Sequence, residues 1–182
     1  KRAAFYAKQN GKNRIQVYEG NIDAERRNKE TGYEQVAPTV YALVAAIDAK
    51  DSFTFQHSTN VSQYAVLLAQ KLGLPGDDIH TVKVAGLLHD IGKIGIPESI
   101  LKKAGKLTNE EYEIMKSHVQ KSIEMIHYLP NMNYVIPAVV SHHERYDGKG
   151  YPRGLKGEGI PFLGRILAVC DSFDAMISKR AY

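Results

Sequence analysis

From Val36 onward the apolar residues of this chain recur at intervals of three and four, the spacing that gathers side chains on one face of a helix. Val40, Leu43, Val44 and Ile47 form the first stripe, with Pro38 placed for a first helical turn. Val61, Tyr64, Ala65, Leu68 and Leu72 form a second behind His57, and Gly73 and Pro75 stop it. Asp77 and Asp78 suit the start of a third helix, which runs into His89 and Asp90. Thr108 and Glu111 spell a capping box for a helix that passes through His118 towards Tyr128. A short apolar helix follows over 134–143, then a glycine-rich loop over 144–159. Pro161 opens a last helix through Ile166, Val169, Phe173 and Met176. With every segment on a helical period, the fold is expected to be all-α, a helical bundle around a single core.

At 182 residues the chain can bury one substantial core and carry a tail. Hydrophobic residues make up 43% of it, with no apolar run long enough to span a bilayer, so a soluble globular domain without a membrane segment is expected. The net charge of +4 suits a small anionic substrate, while the absence of dense basic runs argues against a polynucleotide. A single cysteine, Cys170, allows no internal disulfide and points to a reduced cytoplasm. The chain opens with Lys1-Arg2 rather than Met, as a fragment would. Residues 1–18 suit a helix end, a break at Gly11 and a short strand with Ile15 and Val17 on one face. Residues 19–35 are charged and lack apolar periodicity, which reads as a linker or a polar helix, so the main domain is expected over 36–182.

The stretch Leu87-Leu88-His89-Asp90-Ile91-Gly92-Lys93-Ile94-Gly95 concentrates chemistry at a helix end. Side chains of consecutive residues on a helix diverge by roughly 100°, so one ion takes both His89 and Asp90 only near a terminus. Gly92 and Gly95 supply that terminus by accepting the backbone angles that stop a helix. Lys93 extends a point charge over whatever the site holds. A plain helix C-terminus, with His and Lys near the negative end of the dipole, explains the stretch equally well. His57 at a helix start and His118 within a helix also have ordinary readings when taken singly. The adjacent pair His142-His143 is costly to place without a partner, and Asp171 in an apolar helix needs a cation. His80 and His127 have nothing converging on them.

The motifs HDIGK, HHERYDGKGYP and IPFLGRILAVCDSFDAMISKRAY, in this order, resemble the HD-GYP phosphodiesterases. These are a branch of the HD metal-dependent phosphohydrolases that degrades cyclic di-GMP. The resemblance covers residues 41–182. It implies metal ligation by His57, His89, Asp90, His118, His142, His143 and Asp171, with Asp90 bridging two ions. It also implies catalytic roles for Asp90 and Lys93, and substrate contacts from Lys93, Tyr151 and Arg180. A ligand set dominated by imidazole suits two divalent iron, manganese, nickel, cobalt or zinc ions better than magnesium or calcium. The activity implied is hydrolysis of cyclic di-GMP to linear pGpG, and onward to GMP in some members, by a hydroxide bridging the two ions.

The opening AAFYAKQNGKNRIQVY resembles the closing helix and strand of a diguanylate cyclase (GGDEF) domain, which implies an upstream cyclase or sensory domain in the same protein. Against the family pattern stand Val119 and Ser122 beyond His118, and Ala181 before Tyr182. Phe53, one helical turn before His57, stands where some members carry an acid for a third ion, so two ions are expected. A homodimer is left open. Two other functions also stay open: a phosphohydrolase acting on another nucleotide, and a module that binds a cyclic dinucleotide or a protein without turnover.

Overall fold

The structure, a computed structural model, describes residues 19–50 and 54–178. All regular elements among these residues are helical, as the apolar period predicts. The expected helix and strand of 1–18, together with Phe53 and Arg180, lie outside them.

Helix α1 (Glu19–Lys50) takes in the charged segment, which is helical, the second of its two expected forms. Its buried Val36, Val40, Val44 and Ile47 lie against the main core, and Tyr33 packs there too. Pro38 therefore sits inside a helix rather than at its start. Both Pro38 and Glu34, whose carbonyl loses its i+4 donor, are exposed, so water replaces the missing bond.

Helix α2 (Thr54–Lys71) ends at Gly73, which adopts φ of 69°. Leu72 lies beyond that end and is exposed rather than inward. Helix α3 (Gly76–Leu88) is the centre of the bundle, with Thr81, Val82, Val84, Ala85, Gly86, Leu87 and Leu88 all buried. A helix apolar nearly all round has to be enclosed by others, and α1, α2, α7 and α8 enclose it. Its approach to α2 is set by Gly86, where a Cβ would come within 2.6 Å of Ser62 Cα.

A 3-10 turn (Ile91–Gly95) follows. Neither Gly92 nor Gly95 has a positive φ, so the expectation that they stop α3 by their backbone angles is corrected. Gly92 is needed for space: a Cβ there would lie 2.0 Å from the His118 carbonyl oxygen and 2.4 Å from Ser122 N.

Helices α4 (Glu98–Leu101) and α5 (Asn109–Lys116) lead to α6 (His118–His127). Both bonds of the expected Thr108–Glu111 capping box are present. The chain breaks at Ser117, so His118 begins a helix where the sequence suggested a mid-helix position. A 3-10 turn (Asn133–Val135), α7 (Ile136–Val139), a loop with a 3-10 turn (Gly157–Gly159) and α8 (Phe162–Ile177) complete the fold. Helix α8 buries Gly164, Ile166, Leu167, Cys170 and Asp174, leaving Val169, Phe173 and Met176 exposed. The expected last helix is present, and because its sequence is apolar on several faces the period does not say which face is covered. Among the described residues no helix is long and apolar enough to cross a membrane.

Candidate metal centre

The ends of α3 and α7 and the starts of α2 and α6 bring His57, His89, Asp90, His118, His142 and His143 together, and α8 adds Asp171. Two groups of ligand atoms within 4.8 Å of one another form: Asp90, His118, His142 and His143, and His57, His89 and Asp90. Asp90 belongs to both. Its Oδ1 lies 3.3 Å from His118 Nε2, and its Oδ2 lies 3.3 Å from His89 Nε2 and 3.9 Å from His57 Nε2. Asp171 Oδ1 adjoins the second group, 3.1 Å from His57 Nε2 and 4.0 Å from His89 Nε2.

The tautomers follow from the partners. A backbone carbonyl only accepts, so Nδ1 of His89, His118 and His142 must donate to the carbonyls of Gly86, Met115 and Val139, at 2.8, 2.7 and 2.6 Å. In the neutral ring each Nε2 then presents a lone pair to the site. His57 Nδ1 lies 2.6 Å from Asp174 Oδ2 and has to donate to it. Its Nε2 faces Asp171, an arrangement satisfied only by an imidazolium or by a cation between them. His89 Nε2, Asp90 Oδ1 and His142 Nε2 are buried without a hydrogen-bond partner. Orphans of this kind each cost about 1–3 kcal/mol, and here they converge on one another. Borderline divalent cations fit such a set of lone pairs and carboxylate oxygens.

The electrostatics favour the ligating forms. Burial lowers His142 well below the ordinary imidazole range, and the neighbouring His143 and His89 push the same way. Burial and His118 bring His143 down to about 4. Burial also lowers His118, although Asp90 opposes it. For His89 burial pulls downward, but the fields of Asp90 and Asp171 prevail and raise it. Burial alone would raise Asp90; Lys93, His89 and His118 instead hold it well below the usual carboxylate range. Asp171 is similarly lowered against burial by its bond to His57 and by His89.

Around these groups stand residues that the sequence reading missed. Asp174 is fully buried and orients His57, while Asn60 Nδ2 donates to its other oxygen at 3.0 Å. Both lie three residues beyond expected ligands, a spacing that could have marked them. Ser122 accepts from Gly92 N at 2.8 Å and donates to the His89 carbonyl at 2.9 Å, locking α6 to the end of α3. Lys50 Nζ reaches from the end of α1 to the carbonyls of Ile94 and Ile96, both at 2.5 Å, and so holds the turn that bears Lys93. Lys93 Nζ itself lies 2.6 Å from Asp90 Oδ2.

Tyr151 stacks on His143, with ring centroids 4.7 Å apart, and packs against Val119, Ile123 and Val140. Its loop is less pliable than the glycines suggest. Buried Glu144 accepts from Arg153 N and Leu155 N at 2.7 and 2.9 Å, and Gly150 folds so close that a Cβ would meet Arg145 N at 2.3 Å. His80 and His127 lie outside both ligand groups: His80 stacks on Tyr134, and His127 Nδ1 lies 2.9 Å from Asn133 Oδ1.

A helical bundle with histidines and aspartates gathered at helix ends offers two adjoining sets of side chains that could hold metal ions. The profile described as the HD domain matches residues 42–182, and the chain belongs to that family. It is 44% identical over 155 residues to a cyclic di-GMP phosphodiesterase of Thermotoga maritima, covering 84% of this chain and 42% of the relative. It is 42% identical over 151 residues to the cyclic di-GMP phosphodiesterase response regulator RpfG of Xanthomonas campestris pv. campestris, covering 82% and 40%. A 3'3'-cGAMP-specific phosphodiesterase 2 of Vibrio cholerae is 41% identical over 177 residues, covering 92% and 33%. The chain thus spans well under half the length of these relatives. Among solved structures, Bd1817, an HDG"Y"P protein from Bdellovibrio bacteriovorus, superposes with a TM-score of 0.57 at 20% identity, covering 96% of this chain and 56% of that one. That likeness supports the fold. The family match begins at residue 42 and lends no support to a GGDEF tail over 1–18.

Proposed function

We propose that this domain is a metal-dependent phosphodiesterase that opens cyclic di-GMP to the linear dinucleotide. The observation that carries the reading is Asp90, whose two oxygens face two separate sets of imidazole lone pairs in a buried site. His118, His142 and His143 would hold one divalent ion and His57, His89 and Asp171 the other, with Asp90 between them. Such a pair acidifies a water and neutralises charge on a phosphodiester. The chain's own part is orientation and charge: Asp174 and three backbone carbonyls orient His57, His89, His118 and His142, Tyr151 stacks on His143, and Lys93 brings an ammonium to the Asp90 side of the site. That ammonium can bind a phosphoryl oxygen as its charge grows. Tyr151, and Arg180 by family position, would hold the dinucleotide.

The names of the relatives support a cyclic dinucleotide as substrate. Because one group of them is named for 3'3'-cGAMP, that nucleotide is the second reading. A binding module without turnover would not require the complete ligand set. An upstream cyclase or sensory domain, a homodimer, the identity of the ions and a cytoplasmic setting, consistent with the free thiol of Cys170, belong to the same proposal. The test is incubation of metal-loaded protein with cyclic di-GMP and 3'3'-cGAMP, followed by chromatography of the products. Linear pGpG is expected. Full recovery of both cyclic nucleotides would refute the reading.

A further inference from the structure

The aromatic stack that starts at His143 does not stop at Tyr151. Tyr112, on α5, meets Tyr151 in a T-shaped pair with 6.3 Å between centroids and is 48% exposed. Lys116, one turn further along α5, holds its Nζ over both rings, 5.2 Å from the Tyr112 centroid and 5.7 Å from that of Tyr151. An ammonium and a half-exposed phenol ring thus stand one aromatic ring away from His143. The metal centre does not use either of them.

From this arrangement we infer that Tyr112 and Lys116 form a base-recognition subsite that selects guanine over adenine. The inference rests on the cyclic dinucleotide reading and adds the base specificity of that site. An exposed aromatic face stacks any nucleobase, so Tyr112 supplies affinity without choice. The choice comes from Lys116. An ammonium carries donors only, and guanine offers it two adjacent acceptors, N7 and O6. Adenine places an amino group where O6 would be, and two donors then face one another. The two rings beneath the ammonium hold it by cation–π attraction without consuming its protons.

Glu113 pairs with Lys116 at 2.5 Å, but both side chains are partly exposed, at 24% for the lysine and 69% for the glutamate. A pair this wet is worth little and yields to a ligand. The capping box fixes the start of α5, and the i, i+4 spacing puts Tyr112 and Lys116 on one face of that helix.

Binding of GMP and AMP to the metal-loaded protein, by calorimetry, tests the inference without turnover. Both nucleotides carry the same phosphate, so their difference reads the base. GMP is expected to bind about tenfold more tightly, the discrimination of one good donor–acceptor contact. Lys116→Met should erase that preference while metal content stays at the wild-type level. Tyr112→Ala should weaken both nucleotides alike, by about fivefold or more. Equal binding of GMP and AMP by the wild type would overturn the inference. So would a Lys116→Met variant that weakens both equally, because the lysine then serves the phosphate. A wild type that prefers GMP yet leaves cyclic di-GMP uncut would remove the proposed activity and leave the subsite standing.

Discussion

Asp174 Oδ2 lies 2.6 Å from Nδ1 of His57, across 117 residues of sequence, and so decides which nitrogen of that ring faces the candidate metal centre. The same carboxylate receives Asn60 Nδ2 and the Ser178 hydroxyl, at 3.0 and 3.1 Å. Asn60 and Ser178 therefore fix the carboxylate that holds this imidazole.

Replacing Asp174 with Ala should lower affinity at the His57 side by about 10–100-fold, the usual cost of removing a carboxylate behind a ligating histidine. Metal titration of the variant checks this. The His118 side should keep its affinity, because His118 and His142 are held by backbone carbonyls and not by Asp174. Equal weakening of both sides would mean that Asp174 supports the fold in general.

Gly92→Ala should be among the most damaging single-methyl changes in the chain. The added Cβ would meet backbone atoms of α6, which cannot rotate away, and would press on the Ser122 bridge. Overpacking costs about 1–3 kcal/mol where side chains can yield, and here backbone has to move as well. Thermal melts should show a large drop in Tm. Gly159→Ala, where an added Cβ meets nothing within 4 Å, is the matched control and should melt close to wild type.

Lys93→Ala should separate binding from rate. Its Nζ occupies the Asp90 oxygen that faces His57 and His89, so the ammonium competes with a cation there. The variant is expected to bind metal at least as tightly as wild type while losing kcat by about 10²-fold or more, as when one electrostatic donor is removed from a developing charge. Loss of metal from this variant would make Lys93 structural.

Much of this was legible in the sequence, for a physical reason. A helical period needs only the order of apolar residues, so the periodic helices and the capping box could be read directly, while the break at Ser117, which leaves the period almost intact, could not. Lone glycines were harder. Gly92 looked like a helix stop, but what fixes it is the approach of α6, which begins 26 residues later and leaves no local trace. Asp174 was passed over because its partner, His57, is also distant in sequence. On α8 the order of residues does not say which face is covered: Val169 and Ile166 are equally apolar, and the packing of α2, α3 and α7 decides between them.

The chelator-treated protein should lose stability as pH falls. Burial holds His143 down to about 4 and lowers His118 and His142, so these rings stay unprotonated in the fold. In the unfolded chain they take up protons near pH 6.5. Below that value the unfolded state binds more protons, and acid favours it. The stabilising contribution is complete above about pH 6.5 and is lost progressively towards about 4. His89, which is raised, contributes with the opposite sign, but it is one ring against three. Melts between pH 7 and 5 should show a falling Tm, with a shallower fall in His143→Gln. A flat profile would mean that these rings are not held neutral.

The central claim is that Asp90 joins two metal sites and that turnover needs both. The direct measurement is cyclic di-GMP hydrolysis as metal is added stepwise to chelator-treated protein, with bound metal counted by elemental analysis at each step. Activity is predicted to stay low through the first equivalent and to rise with the second, and Asp90→Asn should abolish it while weakening both sites. Full activity at one bound ion per chain, or an active Asp90→Asn protein, would contradict the account.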